Sequence, residues 1–177
     1  MINKAEISSA LPELEQITDL KLRAACVDAF AEAMELGGWT DLNALAGMPV
    51  LPVDKAVPGR IEFIREVAAL AADEYDELIN WIDELAPCDK DTIIASALLA
   101  DIGLYVRSGP APVQHAEFYN KAEWAGYLAQ KNGLPPKVVY ILLTVDPVMA
   151  PEGTKAIFTN ELRFVRSSYY TLLAALA

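Results

Sequence analysis

Apolar residues recur along most of the chain at spacings of three and four, which stripes one face of a helix. In DLKLRAACVDAFAEAMEL, residues 19–36, this spacing places Leu22, Cys26, Phe30 and Ala33 on one side. Thr18 stands where a cap belongs, and Gly37-Gly38 ends the run. A proline-rich connection follows at residues 47–59. The stretch RIEFIREVAALAADEYDELINWIDEL, residues 60–85, carries the helical period again. We read it as two helices with a bend near Asp73. Its acidic residues surround Tyr75, Ile79 and Trp81 as a solvated face. Pro87 breaks the pattern, and Asp89 or Asp91 caps a strongly apolar helix through about Ile102. Gly103 stands in the position of a helix C-terminal glycine.

The remaining pattern is also helical. SGPAPVQ, residues 108–114, reads as a loop, and residues 115–133 as an amphipathic helix closed by Asn132-Gly133. LPPKVVYILLTV, residues 134–145, is β-branched enough for a strand, but Pro136 fits the first position of a helix and favours that reading. After a loop at 146–158, Thr159 caps a last helix that runs to residue 177. The prediction is an all-α, single-domain helical bundle over residues 1–177. Residues 1–46 form a helical leader and residues 60–177 the core. No repeat or low-complexity tract interrupts it.

Composition narrows the function classes. The chain has 177 residues, 54% of them hydrophobic, enough for one sizeable core. Its net charge of −11 argues against nucleic acid and anionic membranes, which need a basic footprint. Charge breaks every apolar run before membrane-spanning length, and the N-terminus lacks a signal-peptide core. Cys26 and Cys88 are far apart without metal-ligand spacing, so they read as reduced thiols in a cytoplasmic protein. No phosphate-cradling glycine loop or other cofactor motif occurs, so no cofactor is expected. A homo-oligomer is compatible with the sequence.

Three stretches carry a resemblance. DKDTIIASALLADIG, residues 89–103, resembles the buried helix of the HD superfamily of metal-dependent phosphohydrolases, which ends in Leu-Leu-His-Asp-Ile-Gly. KAEWAGYLAQKNGLPPKVVYILLTV, residues 121–145, is similar to that family's helix, Gly-Leu-Pro turn and following helix. RIEFIREVAALAADE, residues 60–74, resembles the helix that opens its core. The leader LPELEQITDLKLRAACVDAFAEAMELGGW looks like that of some bacterial members. The resemblance implies an HD-type bundle.

It also implies a metal site that this chain has lost. Arg60 stands where the family has its first histidine, and Ala100-Asp101 replaces the His-Asp pair. Tyr140 and Val145 stand for two further histidines, and Tyr169 for the last aspartate. Only Asp101 remains, and one carboxylate cannot hold a catalytic metal. No metal is expected. If the alignment holds, Arg60 takes the metal's place as the counter-charge of Asp101.

The expected site is a polar cavity for a small organic molecule. Asp101 and His115, the chain's single histidine, are the candidate acid–base groups. Arg60, Tyr140, Tyr169, Glu123 and Lys121 are the candidate binding residues. Such a site suits a lyase, hydratase or isomerase better than a phosphohydrolase. The alternatives are a non-catalytic, partner-binding pseudoenzyme, and a phosphohydrolase with displaced ligands.

Overall fold

The computed structural model describes residues 2–48, 50, 59–81, 88–113, 118, 120–151 and 159–176. Among these no strand occurs, and the chain is all-α. The elements are α1 (Lys4–Ala10), a short 3-10 helix (Pro12–Gln16), α2 (Leu20–Gly37), α3 (Leu42–Ala46), α4 (Arg60–Leu78), α5 (Lys90–Leu99), α6 (Ile102–Arg107), α7 (Lys121–Lys131), α8 (Pro136–Thr144) and α9 (Asn160–Leu176). No helix among the described residues is long and apolar enough to cross a membrane.

α5 is the hub. Every residue from Thr92 to Leu99 is buried, as expected of a helix that is apolar all round. α4, α8 and α9 pack around it, and α2 packs on both α5 and α6. Ile7, Leu11, Leu14, Ile17 and Phe30 from the leader belong to the same contiguous core as Phe63, Ile94, Leu98 and Phe164. Cys26 and Cys88 are both free thiols. Burial pushes the Cys26 thiol up to about 12, which makes it inert at neutral pH.

Several sequence expectations change. No bend at Asp73 divides α4, which is one helix to Leu78. Ala71 and Ala72 are buried while Asp73 is exposed, so the acidic run follows the solvent side of an unbroken helix. The N-cap of α2 is Asp19 rather than Thr18, and its carboxylate accepts from the N–H groups of Lys21 and Leu22. Residues 114–117 and 119 lie outside the described residues, and α7 starts at Lys121 rather than at residue 115. Asn120 caps it, and Glu123 completes a reciprocal capping box. Within residues 134–145, Pro136–Thr144 form helix, with Pro136 in its first turn. Thr159 does cap α9, its hydroxyl accepting from Leu162 N at 3.1 Å.

Two glycines set close approaches that no local pattern reveals. The buried helix ends at Leu99, and Gly103 lies inside the separate short helix α6 rather than at a helix end. A Cβ on Gly103 would stand 1.8 Å from the Lys121 carbonyl oxygen, so its absence lets α6 meet the start of α7. A Cβ on Gly59 would stand 2.0 Å from the Ala46 carbonyl oxygen, so the end of α3 sits against the start of α4. These contacts fix where Lys121 and Arg60 begin their helices.

Helix starts elsewhere are tied by carboxylates. Asp91 in α5 accepts from Thr18 N, the Thr18 hydroxyl and Asp19 N at 2.8–2.9 Å, joining α5 to the start of α2. Glu161 in the first turn of α9 is 3% exposed, and accepts from Lys137 Nζ at 2.7 Å and Asp89 N at 3.3 Å. Burial pushes both carboxyls up. The hydrogen bonds outweigh it and leave both below their ordinary values, 3.8 for Asp91 and 4.5 for Glu161.

A folded-state value below the unfolded one means stability present above the ordinary value and lost as pH falls through the depressed one. Denaturant unfolding should therefore weaken progressively below about pH 4.5. Asp91→Asn and Glu161→Gln should each flatten that acid limb. An acid limb identical to wild type in both variants contradicts the assignment.

Candidate functional site

The break between α5 and α6 aims a carboxylate into the protein. Asp101 precedes α6 with φ −106° and ψ 5°, and its side chain does not cap that helix. Its backbone carbonyl instead accepts from the N–H groups of Leu104 at 2.9 Å and Tyr105 at 3.3 Å. The side chain turns inward and has no solvent exposure.

Both carboxylate oxygens are occupied. Arg60 Nη1 donates to Asp101 Oδ2 at 2.9 Å, and the Tyr169 hydroxyl donates to Oδ1 at 2.9 Å. Arg60 is 5% exposed, and its Nη2 donates to the Val50 carbonyl at 2.9 Å. Lys121 Nζ stands 4.0 Å from Asp101 Oδ1. The first residue of α4, the α5–α6 junction, the first residue of α7 and the middle of α9 thus meet at one carboxylate. A buried ion needs a counter-charge and hydrogen bonds, and here each oxygen has a donor, one of them charged.

Aromatic rings shape the cluster. Phe63 meets the Tyr169 ring edge-on at 5.2 Å between centroids, and Lys121 Nζ stands 5.5 Å from the Tyr169 centroid. Burial pushes the Tyr169 hydroxyl well above its ordinary range, and the negative charge of Asp101 and the bond donated to it push further. Tyr105 is shifted the same way by burial and then by Asp101, with Arg60 opposing. Both phenols are therefore neutral donors at biological pH. The Tyr105 hydroxyl is fully buried with no hydrogen-bond partner among the described residues.

Outside this layer lies a rim that solvent reaches. Lys121 Nζ is 3.4 Å from Asp146 Oδ2, with side-chain exposures of 20% and 17%. Burial, and then the negative charge of Asp146, push the Tyr170 hydroxyl above its ordinary value. Arg166 closes the end of α8 beside it, donating from Nε to the Val145 carbonyl at 3.2 Å and from Nη2 to the Thr144 carbonyl.

Four of the seven expected site residues come together: Asp101, Arg60, Tyr169 and Lys121. Glu123 is used locally, its Oε2 accepting from Asn120 N at 3.2 Å. Tyr140 is half-buried on α8 and packs against the apolar core. His115 lies outside the described residues. Asp146, Tyr105 and Tyr170 were not foreseen as members. Tyr105 had a signal, since it lies four residues after Asp101, the spacing that puts two side chains on one helix face. Asp146 sits in a connection with no period to follow.

The metal implied by the sequence resemblance does not fit these residues. A cation at Asp101 would compete with the bonds from Arg60 and Tyr169, and would face a permanent positive charge. Ala100 offers no donor. Among the described residues no three His, Cys, Asp or Glu side chains converge in a way that could hold a metal ion. Comparison of the chain with family models, with curated proteins and with solved structures finds no match.

Removing Arg60 leaves Asp101 buried beside one phenol. Arg60→Ala should destabilise by about 3–5 kcal/mol, the range for one broken partner of a buried pair. Tyr169→Phe should cost about 1.5–3 kcal/mol, the range for a hydrogen bond to a charged group. Chemical denaturation measures both. A cost under about 0.5 kcal/mol for Arg60→Ala, the scale of surface substitutions, contradicts the pairing.

Proposed function

We propose that the chain is a metal-free, HD-type helical protein that binds a small organic molecule at the rim of the Asp101 cluster. In this reading the Arg60 guanidinium takes the place of the family's metal as the counter-charge of its one retained ligand. The observation that carries it is the pairing of Arg60 with Asp101 at zero exposure of the carboxylate, with Tyr169 on the second oxygen. The match to HD-type order rests on the sequence resemblance. All-α architecture and a central α5 buried from Thr92 to Leu99 support it.

The same pairing weighs on the choice between enzyme and pseudoenzyme. A general base must offer a lone pair to the proton it takes. The Asp101 carboxylate has no solvent exposure and is held by Arg60 and Tyr169, and the phenols around it are neutral and hard to ionise. This favours a binding protein over acid–base turnover through Asp101. Phosphohydrolysis is the least supported chemistry, because it leans on a metal to stabilise charge, and Arg60 stands beside Asp101 where that charge would sit.

Elemental analysis of the dialysed protein tests the metal-free reading. Far less than one equivalent of iron, manganese, zinc or nickel is expected, and added metal should leave the thermal midpoint unmoved. Close to one equivalent retained through dialysis, or a metal bonded to Asp101, contradicts the reading.

A further inference from the structure

The chain contains one Asn-Gly pair, Asn132-Gly133, and it lies in the turn from α7 to α8. Asparagine is among the chemically labile side chains. Before glycine it is most so, because no side chain shields the following amide nitrogen from it. Asn132 ends α7 with φ −87° and ψ 9°, and Gly133 follows at φ +74°. Gly133 is exposed, and a Cβ there would meet nothing within 4 Å. The turn therefore has room to rotate, and hydrogen bonds hold it. The Gly133 N–H donates to the Gln130 carbonyl at 3.1 Å. Asn132 Nδ2 donates to the Leu128 carbonyl at 2.9 Å and to Glu32 Oε2 of α2 at 2.8 Å.

Glu32 ties the end of α7 to α2 through two donors, because its other oxygen pairs with Lys131 Nζ. The surroundings are acidic. Asp28, Glu32 and Glu35 line one groove with Asn132, and Lys4 and Lys131 are the lysines paired with them. Just beyond the turn, Leu134 is 5% exposed in the core, and its N–H donates to the Ala129 carbonyl at 3.0 Å. A carboxylate at residue 132 would face Glu32 across a former hydrogen bond. An extra backbone atom between residues 132 and 133 would displace Leu134.

We propose that Asn132 is a deamidation site that Glu32 holds in check, and that its conversion to a carboxylate loosens α7 from α2. The Gly133 amide nitrogen gives up its proton and bonds to Asn132 Cγ. The Cγ–Nδ2 bond breaks, and Nδ2 takes a proton and leaves as ammonia. Water then opens the cyclic imide at either carbonyl, which yields aspartate or isoaspartate at residue 132. Water is the only co-reactant. In the folded chain the bonds to Glu32 and Leu128 keep the Asn132 side chain from turning onto the Gly133 nitrogen, so the step waits for the Glu32 bond to open. Afterwards residue 132 has no amide to donate, and two carboxylates stand where an amide met a carboxylate. Like charges that close repel. The change runs one way and weakens the contact that delayed it.

Peptide mapping by mass spectrometry of the full chain, incubated at mildly alkaline pH, follows the rate at Asn132. Wild type should deamidate far more slowly when folded than when unfolded in denaturant. Glu32→Ala should raise the folded-state rate about tenfold, the scale of one hydrogen bond to a charged group. A folded wild type that reacts as fast as the unfolded chain overturns the proposal, as does a folded Glu32→Ala protein that reacts no faster than wild type. Should Glu32→Ala fail to fold, Glu32→Gln decides, because it keeps an acceptor and loses the charge. A several-fold faster reaction supports the restraint, and an unchanged one overturns it. Asn132→Asp supplies the aspartate product directly. Its thermal midpoint should fall below wild type, and adding Glu32→Gln should recover part of the loss by removing the facing charge. An Asn132→Asp protein as stable as wild type, or a loss that Glu32→Gln does not relieve, overturns the loosening of α7 from α2.

Discussion

The structure depends on one buried ion pair. Asp101 stands at the break in a helix whose preceding turns are buried on every side, so its carboxylate has no route to water. A lone charge there would cost several kcal/mol even after relaxation. Arg60 resolves this from the start of α4, and Tyr169 from the middle of α9. The need to satisfy that carboxylate therefore fixes the start of one helix against the break in another and the register of a third. Gly59 and Gly103 act in its service, because each removes a side chain where backbone must come close for Arg60 and Lys121 to arrive.

How much of this was legible in the sequence varies with the kind of signal. The helical period gave the all-α class and most elements, and proline in a first turn settled residues 134–145 as helix. The meeting of Arg60 with Asp101 was an expectation of the family resemblance, to which the cost of an unpaired buried carboxylate added a physical reason. Lys121 and Tyr169 were named for the same place. The start of α7 was misjudged, although Asn120 and Glu123 spelled out a capping box three residues apart. The bend at Asp73 was a misreading of composition as geometry: an acidic run on the solvent face does not interrupt a helix whose other face stays apolar. Gly103 was read as a helix stop because that is its common local use, whereas its reason here is a tertiary contact. Asp146 was illegible for a further cause. It lies in a connection, where no period links a residue to the face it will meet.

The site is built in two layers with different chemistry. The inner layer of Asp101, Arg60, Tyr169 and Tyr105 is dry and its phenols are fixed in the neutral state. Such a layer holds geometry and resists proton transfer. The outer layer of Lys121 and Asp146 is partly exposed, and the ion pair between them is therefore of modest strength. Lys121 touches both layers.

The central claim is that Arg60 and Asp101 act as one unit, each present because of the other. A double-mutant cycle with Arg60→Met and Asp101→Leu measures this by chemical denaturation. Each single variant strands a buried charge, whereas the double variant replaces both with apolar side chains. Replacing a whole buried pair in this way is often close to neutral. The account predicts a double variant at least as stable as the better single one, so the coupling is at least as large as the cost of the worse single variant, about 3–5 kcal/mol. Costs that add to within about 0.5 kcal/mol would show two independent residues and contradict the account.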